Sequence, residues 1–181
     1  MRLITLFNNL SVDGYFEGPN HDISWSKGDF ETFPTDPSEQ ADTILLGRAT
    51  YDLMASFWPT PAAQAYPEVA QYMNSAQKVV VTHRPFEPNW NNTTVVTNNV
   101  IDSIQKLKEG PGKSIIMLGS NNLCVQLMEA GLVDEFQLVV NPVALGAGTP
   151  MFAGLKRKVE LELVDSKTSP TGVTLLTYKP A

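Results

Sequence analysis

Three short apolar runs in the first two-thirds of the chain are each too short to form a helix. They are Thr43–Leu46, Lys78–Thr82 and Ser114–Leu118. Each is rich in aliphatic residues, as is typical of a strand buried on both faces of a sheet. A fourth apolar run, Leu3–Leu10, predicts the first strand. Apolar residues at helical spacing follow several of these runs, and the alternation predicts parallel strands connected by helices.

The helical spacing is clearest after the second strand, where apolar residues recur between Tyr51 and Phe57. A short helix is expected to end near Ser75. Further helices are expected over Asn99–Glu109 and Asn121–Ala130, the latter with Gly131 as its C-cap.

The hydrophobic pattern changes in the last third of the chain. Asp134–Val140 predicts another strand, and Val159–Val164 and Val173–Tyr178 alternate around Ser169–Gly172, a hairpin signature. We therefore expect an α/β fold, with a mixed, mostly parallel sheet, helices on both faces and a C-terminal antiparallel hairpin.

Two stretches between these elements are expected to be irregular, Ser11–Pro37 and Trp58–Pro67. The first is long and rich in glycine, proline and aromatic residues. Long loops in compact domains are usually functional or disordered. We favour a lid over a substrate or cofactor, and the alternative is a loop that covers its own core.

Polar turns follow three of the predicted strands. Gly47 lies between a strand and a helix, where backbone can approach a ligand closely, beside Arg48 and the Thr50 hydroxyl. An ordinary turn with a surface arginine explains this stretch equally well. The turns His83–Pro85 and Gly119–Asn122 repeat the arrangement. Ligands of open α/β sheets collect outside the carboxyl ends of the strands, so three such turns favour a nucleotide cofactor.

Composition restricts the class of protein. The 181 residues fit one domain spanning 1–181, and 43% hydrophobic with 18% charged residues indicates a globular chain. The net charge of -6 argues against a nucleic-acid partner. No apolar run is long enough for a membrane span, and the N-terminal run is too short for a signal peptide. We expect a cytoplasmic protein with no membrane partner.

Metal and cysteine chemistry are not expected. Cys124 is the only cysteine, and its apolar neighbours predict a small core residue rather than a nucleophile. His21 and His83 lie far apart, with no carboxylate at metal-ligand spacing.

Six short motifs cover nearly the whole chain. They are Leu10–Gly14, Leu46–Tyr51, Val80–Arg84, Leu118–Ser120, Gly131–Glu135 and Pro142–Phe152. In this order and spacing the chain resembles the dihydrofolate reductase-like superfamily. Within it, the chain is most similar to the C-terminal reductase domain of the bacterial bifunctional riboflavin-biosynthesis protein. The resemblance implies the three-layer dihydrofolate reductase-like fold in a stand-alone reductase, without the deaminase domain of bifunctional members.

The resemblance also implies NADPH bound in an extended pose across the carboxyl edge of the sheet. The residues implied for the pyrophosphate are Gly47, Arg48 and Thr50. Those implied for the 2′-phosphate are Thr82, His83 and Arg84. The second phosphate-binding turn would comprise Gly119, Ser120, Asn121 and Leu123. The nicotinamide would lie near Asn9, Leu10 and Phe16.

One departure from the family pattern concerns the paired glycines of the third turn, where the second position is Ser120. A side chain there restricts close backbone approach. Serine is small and its hydroxyl can bind phosphate, so we expect cofactor binding to survive.

A reductase of this type also needs a proton near the hydride acceptor. Asp13 and Asp29 are the catalytic candidates, Asp13 through the riboflavin-type motif and Asp29 by its place after the first loop. The alternatives are turn chemistry beside Gly14 for Asp13 and a solvated acidic loop for Asp29.

These features together predict an NADPH-dependent reductase of a small heterocycle. The substrate would be an aminopyrimidine of riboflavin biosynthesis, such as 5-amino-6-(5-phosphoribosylamino)uracil, or a pterin or dihydrofolate. A ribose phosphate would demand basic residues near the first loop, where Lys27 is the sole candidate. The alternative hypothesis is a nucleotide-binding module of the same fold without reductase activity, acting as a sensor or binding protein.

We also expect a homodimer formed through the C-terminal half, as the resemblance implies. The apolar strand residues that suggest this surface are Phe136, Leu138, Val140, Leu161, Leu163, Leu175 and Tyr178. They present more apolar strand surface than the predicted helices can easily cover, and such patches usually mark an interface.

Overall fold

The structure, a computed structural model, describes residues 1–26 and 41–181. Two residues singled out from the sequence, Lys27 and the catalytic candidate Asp29, lie outside the described residues. The same holds for the later part of the predicted loop Ser11–Pro37.

The described chain folds around one large sheet. Its strands are β1 Ile4–Ser11, β2 Tyr15–Glu17, β3 Ala41–Gly47, β4 Gln77–Val81, β5 Thr93–Val96, β6 Ser114–Leu118, β7 Glu135–Asn141, β8 Thr149–Pro150, β9 Leu161–Thr168 and β10 Thr174–Pro180. Its helices are α1 Arg48–Ala55, α2 Pro67–Ser75, α3 Val100–Glu109 and α4 Asn121–Glu129, with short 3-10 turns at Pro19–His21 and Pro61–Ala65.

The large sheet has the order β5-β4-β3-β6-β1-β7-β10-β9, and β2 pairs with β8 separately. From β5 to β7 every neighbouring pair is parallel, whereas β10 runs antiparallel to both β7 and β9. The predicted mixed sheet with a C-terminal antiparallel hairpin is therefore confirmed.

Alternation along the central strands sends side chains to both faces of the sheet. In β3, Ile44 and Leu46 pack with α1 and α2, while Leu45 packs on the opposite face with α3 and α4. All three side chains are fully buried. A strand covered on both faces needs apolar residues at every position, which explains the continuous apolar runs in the sequence.

Two further expectations are confirmed at α4. Gly131 has a left-handed φ of 69° and its amide donates to the Met128 carbonyl, while the Leu132 amide donates to the Leu127 carbonyl, as in a glycine C-cap. Cys124 is fully buried, and burial raises the pKa of its thiol to about 12.

The two stretches expected to be irregular contain short elements. Within the first, Tyr15–Glu17 forms β2 and pairs with Thr149–Pro150. Within the second, Pro61–Ala65 forms a 3-10 turn. The pairing of β2 depends on a partner more than 130 residues away in sequence, so no local pattern could reveal it. The edge strand β5 was also not predicted, because its four residues are few and begin with two threonines.

The apolar surface predicted to form the dimer interface lies largely inside the chain. Phe136, Leu138 and Leu175 are buried in the chain's own core. Helices α3 and α4 and the segment around Met151–Leu161 pack over Phe136 and Leu138, whereas Leu175 packs with Phe7, Val139 and Val173. What stays exposed in the hairpin is Leu163 and Val164 of β9, at 50% and 47%. Within the described ranges, no helix has the length and apolar character needed to cross a membrane.

Lys78 is a fully buried cation under the C-terminal end of α2. Its Nζ donates to the carbonyls of Met73 at 2.9 Å, Ala76 at 2.8 Å and Asn74 at 3.4 Å, and lies 4.5 Å from the centre of the Trp90 ring. Carbonyls at the end of a helix lack intrahelical partners, so the ammonium satisfies groups that would otherwise be buried without donors.

We expect Lys78→Met to lower the free energy of unfolding by about 2 kcal/mol, because the carbonyls at the end of α2 lose a charged donor. Urea denaturation followed by circular dichroism measures the change. Lys106→Met, at an exposed position of α3, is the matched control and should stay within about 0.5 kcal/mol of wild type. Equal stability of the two variants would contradict the helix-capping role of Lys78.

Candidate functional site

One cleft of about 1380 Å³ includes the carboxyl ends of the parallel strands and extends to residues at their amino ends, such as Ala41 and Ser114. It brings together eleven of the thirteen predicted cofactor residues: Asn9, Phe16, Gly47, Arg48, Thr50, Thr82, His83, Gly119, Ser120, Asn121 and Leu123. Leu10 and Arg84 do not line it. Leu10 is buried in the core, and Arg84 lies exposed next to His83.

The turns β3–α1 and β6–α4 are locked together by the hydroxyl of Ser120. Its Oγ accepts a hydrogen bond from the Gly47 amide at 2.7 Å and lies 2.9 Å from Thr50 Oγ1. A Cβ on Gly47 would stand 2.9 Å from Ser120 Oγ, and one on Gly119 would stand 2.6 Å from Thr50 Oγ1. Both glycines are therefore required by this close approach.

This contact involves two residues that the resemblance implies for phosphate binding. The Gly47 amide donates to the Ser120 hydroxyl. That hydroxyl, which could also bind phosphate, lies between Gly47 and Thr50. No side chain of the described residues caps α1 or α4. The anion-binding capacity of the cleft accordingly lies in the first-turn amides of these two helices.

Asn8 stabilises the turn Gly119–Asn122 through hydrogen bonds and was not identified from the sequence. The Gly119 amide donates to Asn8 Oδ1 at 2.9 Å, and Asn8 Nδ2 lies 2.8 Å from Met151 Sδ. The side chain is buried, on the same face of β1 as Ile4 and Leu6. An amide at a position where the alternation predicts an apolar residue is the signal that could have revealed it.

The Asn121 side chain connects the first turn of α4 to residues 150–153. Its Nδ2 donates to the carbonyls of Met151 at 2.7 Å, Pro150 at 3.1 Å and Ala153 at 3.3 Å. The side chain therefore has a structural role, and a contribution to cofactor binding would come from its backbone.

Arg48 lies at the rim of the cleft, where its side chain contacts Asp52 and Phe86. Its Nε donates to both carboxylate oxygens of Asp52 at 2.9 Å, and its guanidinium lies 3.7 Å from the centre of the Phe86 ring. These contacts engage Nε and one face of the guanidinium. The terminal nitrogens are the donors suited to a phosphate.

The turn after β4 is closed by its own threonine. Thr82 Oγ1 accepts from the Arg84 amide at 3.3 Å and donates to the Arg84 carbonyl at 3.1 Å. His83 and Arg84 are both exposed, which leaves their side chains accessible to a ligand.

Asp13 is not among the residues that line the cleft. Its carboxylate accepts hydrogen bonds from the amides of Leu145 at 3.0 Å and Gly146 at 2.7 Å. Hydrogen bonds from Ser11 and from these amides lower the pKa of Asp13 to about 2. A carboxyl group ionised to such a low pH has no proton to give near neutrality. The geometry favours a loop-holding role over the predicted role as proton donor.

A second carboxylate, Glu17 of β2, does line the cleft. Its Oε1 accepts from Thr149 Oγ1 at 2.6 Å, and its Oε2 lies 3.0 Å from His21 Nδ1. His21 and Thr149 also line the cleft. The sequence analysis had considered His21 only as a metal ligand and had not considered Glu17.

Comparison with known proteins supports the resemblance seen in the sequence. The model of the RibD C-terminal domain matches residues 2–175. The chain belongs to the RibD C-terminal domain family. A relative is YyaP, an uncharacterized protein of Bacillus subtilis (strain 168), which is 33% identical over 178 residues, 98% of this chain and 94% of YyaP.

Solved structures of low sequence identity share the fold of this RibD C-terminal domain. One is a Shewanella sp. PV-4 protein named for riboflavin biosynthesis, with a TM-score of 0.79 and 20% identity over 99% of both chains. Another is the dihydrofolate reductase of Enterococcus faecalis, complexed with NADP(H) and RAB-propyl. Its TM-score is 0.68 at 14% identity, covering 98% of this chain and 96% of the other. The dihydrofolate reductase-like fold of this RibD C-terminal domain is thereby confirmed.

Two substitutions at position 120 of this RibD C-terminal domain test the lock between the turns. Ser120 has a left-handed φ of 68°, which costs a residue with a Cβ about 1 kcal/mol. Ser120→Ala loses the hydroxyl and keeps that cost, whereas Ser120→Gly loses the hydroxyl and relieves it. We expect both variants to be less stable than wild type in urea denaturation, with Ser120→Ala the less stable by about 1 kcal/mol. Wild-type stability in Ser120→Ala would show that the hydroxyl does not lock the turns.

Proposed function

We propose that this chain is an NADPH-dependent reductase that transfers a hydride to a small heterocyclic acceptor. The observation that carries the proposal is the convergence of two uncapped helix N-termini, those of α1 and α4, on one cleft. Arg48 stands at its rim. The first-turn amides of two helices and a guanidinium suit the pyrophosphate of a dinucleotide. The similarity to a reductase fold solved with NADP(H) supports the same cofactor.

The far end of the cleft would receive the nicotinamide. Asn9 and Phe16 line it there, at the carboxyl end of β1 and on β2. Asn9 Oδ1 accepts from the buried Asn141 amide at 3.2 Å, which holds the asparagine in place. The cofactor would supply the hydride, and the protein would supply orientation and electrostatics.

The remaining lining favours a flat acceptor of low charge. Trp25, Trp58 and Ile116 present aromatic and aliphatic surface to the cleft. Among the described residues that line it, Arg48 is the only lysine or arginine. This lining supports a pterin or a similar uncharged ring over a phosphoribosyl aminopyrimidine, because a substrate phosphate would compete with the cofactor for Arg48.

A panel of acceptors tests the proposal. Protein, NADPH and a pterin, a quinone or an aminouracil are mixed while the absorbance of the reduced cofactor is followed, and we expect oxidation with at least one acceptor. Calorimetric binding of NADPH without turnover of any acceptor would favour a nucleotide-binding module instead. The Asp13 carboxylate, bound by the Leu145 and Gly146 amides and not part of the cleft lining, is the observation that keeps this second function open. Failure to bind NADPH would contradict both.

A preference for NADPH over NADH is expected to depend on Arg84, since arginine pairs strongly with a phosphate dianion. Arg84→Ala should raise the Kd for NADPH about tenfold or more and leave that for NADH nearly unchanged. Calorimetry with both cofactors measures the two changes. Arg157→Ala is the matched control, because Arg157 bonds the Glu129 carbonyl at the opposite end of α4 from the cleft. Equal losses for both cofactors would remove Arg84 from the 2′-phosphate site.

We further propose that two copies of the chain associate through β9. Apolar Leu163 and Val164 remain exposed there, and β9 ends the order of the large sheet. An exposed apolar edge strand is suited to pairing with another copy. Light scattering should give twice the 19.9 kDa of one chain. Leu163→Lys should shift the mass to that of one chain, whereas Ile101→Lys, at an exposed position of α3, should not. A wild-type mass near 20 kDa would contradict the dimer.

A further inference from the structure

The pair formed by Glu17 and His21 is the only ion pair among the described residues in which both members line the cleft. His21 Nδ1 lies 3.0 Å from Glu17 Oε2. The Glu17 side chain is 15% exposed, and that of His21 is 81% exposed. The pair therefore places a shielded carboxylate behind an imidazole that is open both to the cleft and to water.

Glu17 is held in place from two sides. Its second carboxylate oxygen accepts from Thr149 Oγ1 at 2.6 Å, on the strand paired with β2. The backbone of the two strands is also in close contact, because a Cβ on Gly148 would collide with the Glu17 carbonyl oxygen. The carboxylate has fixed partners on both oxygens and cannot easily turn away from His21.

The backbone after β2 brings His21 over Glu17. Asn20 and His21 both adopt left-handed conformations, with φ of 57° and 60°. The Gly18 amide donates to the Asp22 carbonyl at 2.7 Å and closes this turn. The reversal brings the side chains of residues 17 and 21 into contact, and both line the cleft that Phe16 and Asn9 also line.

We propose that His21 is the proton donor of the reduction and that Glu17 is its positioning residue. This inference rests on the proposed function. The nicotinamide C4–H bond would break as a hydride moves to the carbon of a C=N or C=O bond. The electron pair of that bond would move to the nitrogen or oxygen, which would take a proton from the His21 imidazolium.

The step balances without a further reactant. NADPH is oxidised to NADP⁺, the acceptor gains one hydride, which carries both electrons, and one proton, and His21 becomes neutral. The exposed imidazole regains its proton from water. Glu17 holds Nδ1, which leaves Nε2 as the donating nitrogen.

The charged groups around His21 are consistent with this role. Glu17 is its ion-pair partner in the described structure. Asp22, the next residue, directs Oδ1 to the Ser24 amide at 2.9 Å instead. Asp13, the donor candidate taken from the sequence, holds the Leu145 and Gly146 amides and does not line the cleft.

Steady-state kinetics of three variants, with the best acceptor of the panel, test the inference. His21→Gln should lower kcat about a hundredfold or more while the Kd for NADPH stays within about twofold. It should also abolish the fall of kcat on the alkaline side, because the titrating donor is gone. Glu17→Gln should lower kcat and leave the Kd for NADPH within about twofold, because the imidazole loses the carboxylate that positions it. Asp22→Asn is the matched control and should leave kcat and its pH profile unchanged.

A second measurement is independent of turnover. In NMR spectra the His21 ring signals should shift when NADP⁺ binds. Circular dichroism shows whether each variant remains folded. A structural role for the pair would change stability without moving the pH profile.

The outcomes separate this inference from the proposed function. Suppose that the wild-type protein oxidises NADPH and that His21→Gln has the same kcat and pH profile. This result would contradict the inference about His21 but not the proposed reductase function. Loss of activity in Asp13→Asn under the same conditions would return the donor role to Asp13. A wild-type chain that reduces no acceptor would overturn the reductase and this inference together.

Discussion

The hydroxyl of Ser120 sets how closely two turns of the chain can meet. It lies between the Gly47 amide and the Thr50 hydroxyl, and the absence of a Cβ on Gly47 and Gly119 makes room for the approach. The turns end the adjacent strands β3 and β6, so their spacing also sets the spacing of the helices that follow. The shape of the cleft between α1 and α4 therefore depends on a contact of a few atoms. A larger side chain at any of these positions would have to push the two helices apart.

The parts of the molecule that could be predicted from sequence are those in which local pattern and final environment agree. The runs around Leu45, Val80 and Ile116 are apolar at successive positions because helices cover both faces of these strands. Gly131 ends α4 where a left-handed residue is needed. At the site, Gly47 and Gly119 stand out because close backbone approach demands glycine. The motifs of the RibD C-terminal domain family join these pieces in order, which is why the fold could be assigned before any coordinates.

The parts that could not be predicted depend on contacts between distant segments. The alternating pattern around Phe136 would be the same on an exposed and on a covered face of a sheet. Only the packing of α3, α4 and the later segment over Phe136 shows that this face is covered. The motif containing Asp13 is compatible with a catalytic carboxyl until the amides of Leu145 and Gly146 are seen to bind it. The Glu17 carboxylate accepts a hydrogen bond from Thr149. Thr149 lies on a strand of two residues that has little sequence signature of its own.

The central position of β1 has a consequence for how the chain reaches its native state. This strand is made first during synthesis, yet its neighbours are β6 and β7, with Ile4 beside Ile115 and Thr5 beside Glu135. Pairings so distant in sequence make folding slow. Until about two-thirds of the chain has left the ribosome, an apolar strand with both edges unpaired has to be kept from aggregation. The strand at the middle of the finished sheet thus waits longest for its partners during biosynthesis.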